Sequence, residues 1–144
     1  MNFNLRFDSK HKILLVTFGK VATEEIVRDI HSVVARFVDA QGPCSGIADF
    51  TAVKSSALSV RSIRSLAELI PAIPDIPGAL RVFVAPQPAV YGLSRLLQIL
   101  REQQGIDIHV VHSLEEGYAL LRVPSPDFED VSVEPYRIQP ASMP

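Results

Sequence analysis

The sequence predicts an α/β protein with a mixed, mostly parallel sheet opened by an antiparallel hairpin, and three observations carry that reading. Segments of alternating or continuous β-branched apolar residues are interleaved with segments whose apolar residues recur at helical spacing. The connections between successive strands are long enough for the helical crossovers that parallel pairing requires. A chain of 144 residues, 47% hydrophobic and 21% charged, matches one domain able to bury a core.

The elements follow in order. Phe3, Leu5 and Phe7 alternate with polar residues, Asp8-Ser9-Lys10-His11-Lys12 makes a polar turn, and Ile13 to Phe18 is apolar, which together read as a hairpin ended by Gly19-Lys20. Thr23 is an N-cap with Glu24 and Glu25 on the positive end of a helix dipole, and Ile26, Ile30, Val33, Val34 and Phe37 form its apolar stripe. Gly42-Pro43 stops that helix. Cys44 to Phe50 is a short strand ending in Asp49, and Ser59 caps a second helix with Val60, Ile63, Leu66, Ala67 and Ile70 on one face, terminated at Pro71. An apolar, proline-rich loop runs from Pro71 to Gly78. Leu80 to Ala85 is a strand, and Ala89 to Gln104 is a helix with Leu93, Leu96, Leu97 and Leu100 on its face and Gly105 at its end. Ile106 to Val111 is the last strand of the body, and Ser113-Leu114-Glu115-Glu116 is a capping box opening a helix through Tyr118, Leu120 and Leu121. The predicted order is β-β-α-β-α-β-α-β-α.

Composition changes once. Residues 1–122 carry 13 basic and 12 acidic groups, whereas 123–144 carry one basic residue, four acidic ones and five of the 11 prolines. The chain therefore divides into a nearly neutral body, 1–122, and an acidic, proline-rich C-terminal arm, 123–144, expected to be extended or disordered, in which Val131-Ser132-Val133 can pair as an edge strand. The net charge of −2 argues against nucleic acid as a partner. No apolar stretch approaches the ~18 residues of a membrane span, so no integral membrane segment is expected. The first residues lack the pattern of a signal peptide, and the single cysteine, Cys44, fits a reducing cytoplasm.

The element order, Ile47-Ala48-Asp49-Phe50-Thr51 before a serine-rich loop, Arg81-Val82-Phe83-Val84-Ala85-Pro86 before Tyr91-Gly92-Leu93-Ser94-Arg95, and the segment Ser113 to Leu121 resemble the STAS domain family over residues 3–122. The likeness is to its bacterial anti-anti-sigma-factor-like, STAS/SEC14-related branch. That resemblance implies a regulatory domain acting through protein contacts. In phosphorylatable members a serine at a helix N-terminus accepts phosphate, where free N–H groups and the helix dipole favour an anion. Asp49 and Thr51 match that pattern and Ser59 falls near the serine position, but Ala57 and Val60 replace its aspartate and glycine, so the switch is degenerate. Ser59, Ser56 and Ser55 are the candidate acceptors, against the plainer reading of caps and loop hydrogen bonds. The same branch is suspected of holding lipid-like ligands.

Other candidates come from residue types. Asp49 lies at the carboxyl end of a parallel strand, where open α/β sheets place ligand sites, although a turn bond explains it as well. Arg61, Arg64 and Arg95 can share a rim and bind a carboxylate or phosphate by fork geometry, or simply face solvent. His109 and His112, three apart, are poorly placed for one metal, His31 reads as lying on the polar side of its helix, and no dinucleotide or Walker loop occurs, so no metal and no other cofactor are expected. No catalytic set is legible. The loop with Ile73 and Ile76 covers core, meets a second subunit in a homodimer, or borders an apolar pocket. Two functions remain open: a cytoplasmic, non-enzymatic regulatory domain working through the rim of Asp49, Thr51, Ser56, Ser59, Arg61 and Arg64, or a carrier or sensor of a small apolar, lipid-like molecule under residues 71–80 beside Tyr91 and Arg95.

Overall fold

The computed structural model describes residues 2–137. β1 (Phe3–Asp8) and β2 (Ile13–Phe18) form the predicted antiparallel hairpin, registered from Phe3 opposite Phe18 to Asp8 opposite Ile13. A short β3 (Val21–Ala22) leads into α1 (Glu24–Gln41), where the Thr23 hydroxyl accepts from the Ile26 N–H at 3.1 Å. Gly42 ends that helix at a φ of 93°, a conformation open to glycine and strained for other residues. β4 (Ser45–Asp49), β5 (Ser55–Ser56), α2 (Val60–Leu66), β6 (Arg81–Val84), α3 (Pro88–Glu102), β7 (His109–Val111) and α4 (Leu114–Leu121) follow. A last strand, β8 (Glu129–Val131), lies in the C-terminal segment.

The architecture is mixed α/β. The main sheet has the order β7-β6-β4-β2-β1-β8, with β2, β4, β6 and β7 parallel and β1 antiparallel to both of its neighbours. Strand alternation divides the core between two faces. Ile13, Leu15, Ile47, Val82, Val84 and Val111 point to the face covered by α4, where Leu114, Tyr118 and Leu121 meet them. Leu14, Val16, Phe18, Ala48 and Phe83 point to the other face, toward the apolar stripe of α1. α2 packs against both α1 and α3 on that second side.

The structure differs from the sequence reading where local signals were outweighed by packing. β3 and β5 form a separate two-residue parallel pair, too short to show any periodicity. α2 ends at Leu66 and continues as turns, which leaves Ile70 84% exposed; Val60, also expected on the apolar face, stands 52% exposed in the first turn. Side chains from α3 and the turn after it hold the chain there: Arg101 donates to the Leu66 and Leu69 carbonyls and Gln104 to the Ala67 carbonyl, taking up helix-end acceptors. The last body strand begins at His109, three residues later than its apolar run, because Gln98 takes the Ile108 carbonyl at 2.7 Å.

In the C-terminal segment the strand is Glu129–Val131, not 131–133, and it extends the sheet beyond β1 with Val131 opposite Leu5. Val133 is buried instead, and Tyr136 meets Phe37 edge to face with ring centroids 5.3 Å apart. Arg137 donates to both carboxylate oxygens of Asp29, at 2.8 and 2.9 Å. Residues 123–137 are thus packed on the body of the same chain; 138–144 of the predicted arm lie outside the described residues.

Candidate functional site

The residues on the floor of the second face explain why it is not filled. β2 and β6 present Leu14, Val16 and Phe83, but β4 between them presents only Gly46 and Ala48. Ile73 fills the space over Gly46, and the helices above span the rest of this trough, over Ala48, without filling it. The result is a cavity of about 190 Å³. Val27, Ile30 and Val34 of α1 form one wall, Ile63 and Leu66 of α2 another, and Leu93 and Leu97 of α3 a third. Pro71, Ala72 and Ile73 roof it. Ile73 is buried against the floor, its Cδ1 lying where a β-carbon on residue 46 would stand.

Four polar side chains join this lining. Ser94 is buried on α3. His31 is half-buried at the cavity edge rather than on the polar side of α1, and its Nε2 contacts the Ile70 carbonyl oxygen. The most unusual members are Arg81 and Arg101, only 8% and 7% exposed. Arg81 alternates with Phe83 and so faces the cavity side; its Nη2 pairs with Asp75 at 3.2 Å and its Nη1 reaches the Ile73 and Pro74 carbonyls. Arg101 donates to the Leu69 carbonyl at 2.7 Å, the Leu66 carbonyl at 3.3 Å and Gln104 Oε1 at 3.1 Å. Between them these two side chains grip the roof segment at both ends. Burial, and then the nearby Arg81 charge, pull the Arg101 pKa down from its ordinary value.

Neither arginine was singled out from the sequence, although a signal existed for one. Arg101 falls four residues after Leu97 and eight after Leu93, on the apolar stripe of α3, where a charged side chain calls for an explanation. Arg81 stands at the start of a strand, a position from which sequence alone does not tell which face it takes.

Of the pocket expectation, Ile73 lines the cavity, whereas Ile76, Tyr91 and Arg95 do not. Tyr91 stacks on His112 with centroids 4.4 Å apart, and Arg95 is exposed and donates to Gln98 at 2.7 Å. α3 turns its Leu93, Leu97 and Arg101 inward instead, which carries the intervening Arg95 to solvent.

The rim residues occupy a different region. Asp49 is buried, and its Oδ1 accepts from the Thr51 N–H at 2.9 Å and the Thr51 hydroxyl at 2.5 Å, closing a turn at the end of β4. Ser59 caps α2, its hydroxyl accepting from the Ser62 N–H at 3.1 Å. Ser55 and Ser56 are exposed in β5, and Ser56 accepts from the Leu58 N–H at 3.2 Å. Arg61 and Arg64 are exposed, and among the described residues neither has a carboxylate within salt-bridge distance. Among the described residues no common partner joins them to Arg95. Cys44 is buried, and burial pushes its thiol up to about 11, so it stays protonated near neutral pH.

His109 pairs with Asp107 at 3.3 Å, and among the described residues no three His, Cys, Asp or Glu side chains are grouped as a metal site would require. No described helix is long and apolar enough to cross a membrane. Comparison with protein-family models, curated proteins and solved structures finds no match to this chain.

Proposed function

We propose that this chain is a non-enzymatic binding domain, a cytoplasmic carrier or sensor that holds a small apolar molecule in the cavity beneath the proline-rich loop. The observation that carries the proposal is the apolar hollow over Ala48, walled by three helices and bounded by Ile73. Interiors pack to crystal-like density, so an apolar hollow of this size forfeits packing contacts. An apolar occupant restores the missing contacts. A cavity of about 150 Å³ admits benzene, so the space suits a body of about eight carbons. The fold family in this reading is the STAS-like one described by resemblance, and ligand binding replaces its phosphate switch as the input.

Extraction and mass spectrometry of natively purified protein, together with titration of 1-octanol and naphthalene, test the proposal. Co-purification of an apolar molecule, or saturable binding of these neutral probes, supports it. An empty protein that binds neither overturns it. The second reading, regulation through protein contacts, is favoured by the exposed Val60, Arg61 and Arg64 beside Ser59, and phosphosite mapping after incubation with a serine kinase tests its switch form.

A further inference from the structure

An apolar occupant alone leaves the polar end of the cavity unbalanced. Arg81 and Arg101 are both more than nine-tenths buried and both line the cavity. For Arg81, Nη1 and Nη2 find acceptors, but Nε is buried with none. For Arg101 every acceptor is neutral: two backbone carbonyls and one amide oxygen. Among the described residues only one carboxylate, the half-exposed Asp75, serves these two guanidinium groups. Buried cations are ordinarily paired, because desolvation of an unpaired charge is not repaid by dipoles alone. The deficit is one negative charge and at least one hydrogen-bond acceptor, in a cavity whose other walls are mostly apolar.

We propose that the occupant is a small amphipathic acid, whose carboxylate balances the buried guanidinium groups of Arg81 and Arg101 while its apolar body of about eight carbons fills the space over Ala48, beside Ile73. This rests on the binding function proposed above and names the chemistry of its ligand. A monoanion satisfies the deficit of one charge, whereas a phosphate monoester brings a second charge that has no cation left to meet it. Because the same two arginines hold the roof at residues 66–69 and 73–75, a carboxylate at their guanidinium groups also ties ligand occupancy to the position of the loop.

Calorimetric titration of the intact chain with octanoate, 1-octanol, octyl phosphate and acetate tests the assignment. Octanoate is expected to bind at least tenfold tighter than 1-octanol and than octyl phosphate, with acetate too small to hold. In Arg101→Met, and in Arg81→Lys, which keeps the charge and removes Nε, the ratio of octanoate to 1-octanol affinity falls at least tenfold. The comparison on the unmodified protein decides the matter even where Arg101→Met fails to fold. Octanol binding as tightly as octanoate overturns the acid assignment and leaves the cavity function standing. Tighter binding of octyl phosphate overturns the monoanion. Binding of none of the four overturns both.

Discussion

Ile73 packs so closely over Gly46 that a β-carbon on residue 46 would overlap its Cδ1. This contact joins the roof of the cavity to its floor, and it requires glycine for space rather than for backbone conformation. Gly46→Ala is expected to cost about 1–2 kcal/mol by overpacking, with the Ile73 side chain swinging into the cavity. Removing Cδ1 in Ile73→Val costs about 1 kcal/mol by itself. In the double variant the two costs should not add, leaving a coupling of about 1 kcal/mol by urea denaturation. Full additivity would mean the contact is absent in solution.

The residues that made the fold legible are those whose signals are local. Thr23, Ser59 and Ser113 each cap the helix expected of them, accepting from the N–H three residues on. The continuous apolar run from Ile13 to Phe18 announced a strand buried on both faces, which β2 is. The cavity was only half legible. Ile73 among prolines marked the roof, but Ala48 reads as an ordinary small strand residue, and nothing local shows that the helices leave it uncovered. Arg101 is a surface residue by type and a core residue by phase, and only packing decides between those. Tyr91 and Arg95 lie close to the lining residues in sequence, yet the helical phase set by Leu93 and Leu97 turns them elsewhere.

Ala48 offers the complementary test of the cavity. Ala48→Ile adds three carbons to the floor without touching either arginine. Filling a void in this way is expected to raise stability by about 0.5–1.5 kcal/mol and to reduce 1-octanol affinity at least tenfold. Both effects can be read from thermal unfolding with and without the alcohol, since a ligand raises the transition only to the extent that it binds the folded state. Retention of full octanol binding would place the alcohol outside this cavity.

Ser59 separates a structural role from a regulatory one. Its hydroxyl satisfies the Ser62 N–H at the start of α2, so Ser59→Ala should cost about 1 kcal/mol in chemical denaturation. Aspartate is an equally good cap and adds a favourable charge at the helix start, so Ser59→Asp should match or slightly exceed the parent. Equal losses in both variants would show that something other than the cap is being disturbed.

Asp8 makes the chain sensitive to acid. It stands at the end of β1 with its side chain wholly enclosed, accepting from the His11 N–H at 2.9 Å, the His11 ring Nδ1 at 2.7 Å and the Asp127 N–H at 3.0 Å. Burial by itself would raise its pKa, but these bonds from His11 and Asp127 outweigh burial and lower it from 3.8 to about 2. A carboxylate with a depressed native pKa stabilises the fold above its unfolded value, and that contribution is lost as pH falls from about 4 to about 2. The loss should be on the order of 2 kcal/mol, read from denaturation midpoints across that range. Asp8→Asn keeps one acceptor and removes the charge; it should be less stable at neutral pH and flatter between pH 4 and 2. Because the same carboxylate holds the Asp127 N–H, Asp8→Asn should also expose residues 123–128 to limited proteolysis before the rest of the chain. A parent and variant with identical acid profiles would place the pH sensitivity elsewhere.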